Sequence, residues 1–446
     1  MIRVLGTELR RSNARVLALL LILASVAGFA QGFDRWNEQW LVFSYYQAGN
    51  LFLLVPLALA GGAMLGRRER RTGAAELLST TGRPRWQIAA APAGALALAV
   101  TVVQLLALLA GAVVIGTAGG FLNVGGAVPA LADIAILIGA AWAGFAAGRA
   151  WSSPALPPAL AALALVIQVG AGLTAAHLRL HGLELVPQPP NFLWESANAP
   201  ATLGRLGLGL GLALGSVLLV AGASWLSRAA GLATMAAGVA VIIAVNPTGT
   251  YGRYQVNTAA QELVCAEGTP QVCVTAVQAH QLDEVAPAAR RALTLLAKLP
   301  GAPTRAVEWR AEAIGNGDNS QFWGTKPKAE PGTVLFALDG WGALTPGDVT
   351  ASILNGAGTT WNGCEPGDTV ATGAAGAWLL GGDSLPLRDA GYPYDEETDS
   401  QIRATVTALR KLPEREQVRR VTALRDAAAA CRTDDLLALL TGKPST

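Results

Sequence analysis

The chain has 446 residues, of which 52% are hydrophobic and only 14% charged, and its formal net charge is +2. Soluble domains carry roughly a quarter charged residues, so an ordinary soluble protein is excluded, and a net charge this small does not suggest a nucleic-acid binder. Charge is uneven along the chain: every lysine and all four cysteines lie after residue 247, where the long apolar runs stop. The expected organisation is a membrane half (1–246), a linker (247–262) and a polar C-terminal domain (263–446) large enough for its own core.

A membrane-crossing helix needs about 20 mostly apolar residues. Seven runs meet that measure, at roughly 16–33, 49–66, 88–117, 128–148, 155–176, 204–226 and 229–246. The first follows Arg10, Arg11 and Arg15 and ends in "AGFAQ", the pattern of a cleavable signal peptide. Because more apolar runs follow at once, a signal-anchor helix is the simpler reading. "DRWNEQWLVFSYYQ", with Trp36, Trp40, Tyr45 and Tyr46, then reads as an outer loop carrying an interfacial aromatic belt. The sixth and seventh runs are separated only by "SRAA", but one helix over 204–246 would be about 65 Å long, twice the hydrocarbon thickness. Gly207, Gly211 and Gly215 in "GLGLGLALG" form a small-residue packing face rather than a dinucleotide fingerprint, since no strand precedes them.

Arginine in the short loops sets the orientation. With a cytoplasmic N-terminus, the inner segments hold Arg3, Arg10, Arg11 and Arg15, six arginines in 67–87, then Arg149 and Arg228, against Arg35 and Arg179 outside. Seven crossings place the C-terminal domain outside the cell membrane, where disulfides persist. Cys265 and Cys273 are close enough to close a small loop, and Cys364 with Cys431 would tie a glycine-rich loop to the final helices. Four cysteines allow three pairings, and a metal site competes, though no CxxC or paired-histidine spacing accompanies them.

The predicted fold is therefore an α-helical polytopic membrane protein with a mixed α/β extracytoplasmic domain. That domain is expected to hold helices at about 281–298, 399–411, 414–430 and 433–441, with strands at "TRAVEW" and "TVLFALD". Three polar residues interrupt the apolar runs. Asp133 either lines a substrate or proton route or reaches the interface or a neighbouring helix, while Gln104 and Gln168 suit interhelical hydrogen bonds. His177 and His181 have metal-pair spacing but no third ligand nearby.

"RRERRTGAAELLSTTGRPRWQI" joins the second and third apolar runs. Its "TGAAELLS" core favours a short helix and "TTGRPRW" ends it. Either it is a plain positive-inside loop, or it docks into a groove of another protein. The segment resembles the connector between the second and third spans of ABC-2 type transporter permeases, including members with an added outer domain. Glu69, Arg71, Gly73, Glu76, Leu77, Leu78, Thr81 and Arg85 fall on the family's pattern, with Arg70 beside them. Ala74 and Ala75 replace the usual Thr-Leu, and Gly82 stands where proline is common. "MIRVLGTELRRSNAR" likewise resembles the family's amphipathic N-terminal helix. The resemblance covers residues 1 to about 226 and implies a coupling helix that fits a cleft in a separate cytoplasmic ATPase subunit. It also implies a homodimer, or a heterodimer with a related permease, in the lipid bilayer.

No P-loop is present: "TGKPST" lacks the upstream glycine and has Pro444 where Ser or Thr belongs. ATP and magnesium are accordingly expected on the partner ATPase, with no cofactor, metal or catalytic residue in this chain. No HExxH or GxSxG pattern supports catalysis in the outer domain. The alternatives are a membrane-anchored sensor or scaffold that binds a ligand outside and transports nothing, and, more weakly, an intramembrane enzyme.

Overall fold

A computed structural model describes residues 14–68, 84–122, 127–173, 183, 185–186, 189–190, 192–222, 224–246, 253–310, 329–338, 346–362, 364, 367–386 and 395–442. The chain forms two compact units. One comprises 1–118, 122–191 and 195–255; the other comprises 119–121, 192–194 and 256–446.

The first unit is helical: α1 (Ala14–Ala30), α2 (Phe33–Trp36), α3 (Trp40–Gly66), α4 (Arg85–Thr117), α5 (Ala127–Ala150), α6 (Leu156–Gly172), α7 (Ala199–Ala221) and α8 (Trp225–Val245). Five of them, α3, α4, α5, α7 and α8, are long and apolar enough to cross a membrane, whereas α1 and α6 are apolar but shorter. Large side chains such as Leu105, Leu109 and Val166 are exposed, so the bundle is apolar on its outside as well as in its core. The short strands β1 (Glu195–Ala197) and β2 (Tyr254–Val256) pair at its edge.

Glycines set how closely these helices approach. A Cβ on Gly144 would stand 2.0 Å from the Leu59 carbonyl oxygen, and one on Gly62 would stand 2.0 Å from that of Ala141. Gly66 and Gly148, each four residues on, make the same kind of contact, so α3 and α5 are locked backbone to backbone. Gly211 meets the Cα of Gly238 in the same manner and joins α7 to α8.

Two sequence expectations are corrected. The residues read as an outer aromatic loop are largely helix: α3 already begins at Trp40, Phe43 and Gln47 face the core, and Trp36 is buried, donating from Nε1 to the Phe29 carbonyl at 2.8 Å. The polar Ser and Tyr residues masked the continuity of this helix. The break between the last two apolar runs falls before "SRAA": α7 ends at Ala221 and α8 begins at Trp225. The Ser224 hydroxyl caps α8 by accepting from the Ser227 amide at 3.2 Å, which makes "SRAA" part of the first turns.

The second unit is mixed α/β. Its sheet runs in the order β3 (Leu263–Cys265), β4 (Gln271–Thr275), β5 (Arg305–Glu308), β6 (Thr333–Phe336); β3 and β4 are antiparallel, and β4, β5 and β6 are parallel. A 3-10 turn (276–281) and α9 (Leu282–Leu296) connect β4 to β5. Ala289, Ala292, Leu293 and Leu296 give α9 one apolar face, buried on the sheet. The remaining helices are α10 (Pro346–Leu354), α11 (Thr369–Leu380), α12 (Glu396–Arg410), α13 (Glu414–Ala429) and α14 (Leu436–Thr441).

Neither α10 nor α11 was expected from sequence. Most of α11 lies in the core, where its alanines and glycines admit close neighbours. Asp368 caps it by accepting from the Ala371 amide at 2.8 Å, and Gly381 closes it at φ +85°. Cys265 is bonded to Cys273 across the β3–β4 hairpin, and Cys364 to Cys431 just beyond α13.

Candidate functional site

Among the described residues of the helical unit, a buried polar pair joins Asp133 on α5 to Arg205 on α7. Gly139 and Gly209 bring these helices together, because a Cβ on Gly139 would stand 2.6 Å from the Gly209 carbonyl. At that spacing Arg205 reaches across: Nη2 lies 2.6 Å and Nε 3.2 Å from Asp133 Oδ1, while Nη1 donates to the Leu185 carbonyl at 2.9 Å. Asp133 is 3% exposed, and Glu195, Arg253 and Tyr254 are also buried. Burial, reinforced by the Glu195 carboxylate, holds the Tyr254 hydroxyl well above its ordinary pKa, against the opposing pull of Arg253 and Arg205. Tyr254 therefore stays neutral and keeps its donor. The Asp133 carboxylate and the Arg205 guanidinium balance in charge, which is how a buried site tolerates them.

The glutamines work as interhelical clips. Gln47 donates to Gln104 Oε1 at 3.2 Å and joins α3 to α4. Gln168 on α6 donates to the Phe52 carbonyl at 3.4 Å. That carbonyl lies four residues before Pro56, whose missing N–H would otherwise have bonded it, so Gln168 serves an acceptor that the proline sets free.

Of the connector residues, Glu69, Arg70, Arg71, Gly73, Glu76, Leu77, Leu78 and Thr81 lie outside the described residues, as do His177 and His181. Arg85 is the first residue of α4, after an extended Pro84. The connector runs from the end of α3 at Gly66 to Arg85. The connectors α5–α6 and α7–α8, at the same helix ends, span only 151–155 and 222–224.

In the second unit, Glu308 closes β5 at the carboxyl edge of the parallel strands, where open α/β sheets place their ligands. Its Oε2 accepts from the Thr275 amide at 2.6 Å and from Thr275 Oγ1 at 2.8 Å. Oε1 has no hydrogen-bond partner among the described residues. Burial pushes the Glu308 carboxyl up to about 7, with the two Thr275 bonds and the Arg310 charge opposing the rise. Trp309 follows directly and packs with Phe192, Trp194 and Trp361, at centroid distances of 5.0–5.7 Å. Among the described residues, no group of three or more His, Cys, Asp or Glu is arranged to hold a metal.

Arg205 and Glu308 were not singled out by sequence reasoning. Arg205 had a signal: it is a cation in the glycine- and leucine-rich run "TLGRLGLGL", opposite in sign to Asp133, which also interrupts an apolar run. Glu308 had none, because its neighbours in "TRAVEW" describe an ordinary strand. Compared with known proteins, the chain matches no family, no curated relative and no solved structure.

Proposed function

We propose that this chain is the membrane-spanning permease subunit of an ATP-driven ABC transporter of the ABC-2 type, an exporter. In this reading it dimerises with itself or with a related permease and recruits two cytoplasmic ATPase subunits through residues 67–87. The observation that carries it is the disparity between connectors. At the arginine-bearing ends of the helices, only the segment between α3 and α4 is long enough to dock another protein, and that segment bears the Gly73 to Leu78 pattern.

Sidedness has its own support. Most of the second unit follows α8, the seventh apolar helix in chain order, which is the parity expected if it lies outside. Two disulfides in that unit suit an oxidising compartment. ATP and magnesium would then bind on the partner, whose closure moves the coupling segment and with it α3 and α4.

The test is capture of the ATPase. The tagged full-length chain, purified from its native membrane, should elute with ATP-hydrolysing activity, and Glu76→Arg with Leu77→Asp should abolish that co-elution. Full activity with the double variant would overturn the coupling role. A wild-type eluate without ATPase activity would favour the membrane-anchored sensor or scaffold.

A further inference from the structure

The helical unit contains a cavity of about 310 Å³ between α4, α5 and α7. Its walls include Ala90, Ala93 and Gly94 of α4, Trp142 and Phe145 of α5, and Val217 of α7. The small α4 residues leave the space. Trp142 keeps it open, because its Nε1 is tied to the Ala93 carbonyl at 2.9 Å and the large ring is wedged between the helices.

Two of the polar side-chain atoms in the lining are already used. Ser216 Oγ donates to the Leu212 carbonyl at 2.6 Å, and the Trp142 N–H is taken as above. A buried water needs two to four polar partners, and an apolar cavity about half this size, ~150 Å³, stays dry and takes up an apolar molecule instead. Trp86 and Val217 are 52% and 43% exposed, so the lining reaches the apolar outside of the bundle. The cavity lies toward the start of α4 and the end of α7, the arginine-bearing end, where the Arg149 guanidinium stands 5.7 Å over the Phe145 ring.

We infer that this cavity binds one hydrocarbon chain of a membrane amphiphile with an anionic head, entering from the leaflet on the Arg149 side. The apolar lining takes the chain, and the positive charge at that end favours the head. The inference rests on membrane placement of the bundle and not on transport, so failure of ATPase capture leaves it standing.

The full-length chain in phosphatidylcholine nanodiscs is exposed to a sixteen-carbon fatty acid carrying a mid-chain diazirine, irradiated, and mapped by peptide mass spectrometry. Label should concentrate on 86–94 and 216–221 and be competed by unlabelled palmitate. In Ala90→Leu/Gly94→Leu it should fall about tenfold at those peptides, equivalent to ~1.4 kcal/mol of binding, while label on the lipid-facing α6 around Val166 stays unchanged. Val217→Phe fills the cavity from the opposite helix and should act alike, which covers poor folding of the first variant. Label at 86–94 no denser than on α6, or label that neither variant reduces, would overturn the site. Equal labelling by an amine-headed chain of the same length would overturn the anionic preference.

Discussion

Arg205 reaches 72 positions back along the chain to place two of its N–H groups on a single oxygen, Oδ1, of Asp133. Removing two charges from water costs several kcal/mol each, and the pair offsets that cost only while both partners are present. Arg205→Leu alone strands a carboxylate in an apolar bundle and should destabilise the protein by about 3–5 kcal/mol. Asp133→Leu with Arg205→Leu should recover most of that loss. Thermal unfolding in detergent checks both, and a double variant no more stable than the single one would show that the two charges do not neutralise each other.

Glycine contacts predict sharply different outcomes for one substitution. Gly144→Ala would drive a Cβ to 2.0 Å from the Leu59 carbonyl, a backbone atom that cannot rotate away, so α3 and α5 must separate. At Gly170 on α6 no atom lies within 4 Å of the added Cβ. There alanine should be neutral, or stabilise by up to about 1 kcal/mol through helix propensity. Comparing the melting temperatures of the two variants tests the close approach directly; equal values would refute it.

The disulfides differ in the chain they enclose. Cys364–Cys431 spans 67 positions and Cys265–Cys273 spans 8. If loop-closure entropy dominates, replacing the first pair with alanine costs about 4 kcal/mol and the second about 2.5. Proteolysis of the full-length chain, with trimming of the second unit as the readout, should find the Cys364/Cys431 variant the more susceptible of the two. The reverse order would mean that the short hairpin bridge holds the β3–β4 edge by more than entropy.

How much of this was legible beforehand follows from which forces act locally. Each expected apolar run became an apolar helix because a long apolar run imposes that alone, although α1 and α6, at 17 residues each, fall short of the length expected of a crossing helix; α12, α13 and β5 followed from their periodicity. The start of α3 was obscured by Ser44, Tyr45 and Tyr46, whose polarity resembles a loop although Phe43 and Gln47 on the same helix face inward. α11 was hidden because alanine and glycine in "TVATGAAGAWLL" show little periodicity; its burial is decided by neighbours distant in sequence. The Asp133–Arg205 pair and the Glu308–Thr275 contact are tertiary, separated by 72 and 33 positions, and no local pattern specifies them.

Glu308 gives the second unit a stability that depends on pH. Its carboxyl is raised from 4.5 to about 7 in the folded chain, chiefly by burial. Below pH 4.5 the group is neutral in both states and contributes no pH dependence. Between 4.5 and about 7 the unfolded chain gives up its proton while the folded chain retains it, so stability falls as pH rises. Above about 7 both are ionised and the loss levels off at about 3 kcal/mol, at ~1.4 kcal/mol per pH unit. Glu308→Gln keeps an oxygen for the Thr275 donors but cannot ionise. The melting temperature of the variant relative to wild type should therefore climb from pH 4.5 to 7 and then stay level. Thr275→Val removes the hydroxyl that helps the carboxylate ionise, and should carry the upper end of that window above pH 7. Parallel curves for wild type and Glu308→Gln would mean that the carboxyl is solvated and the β4–β5 edge open.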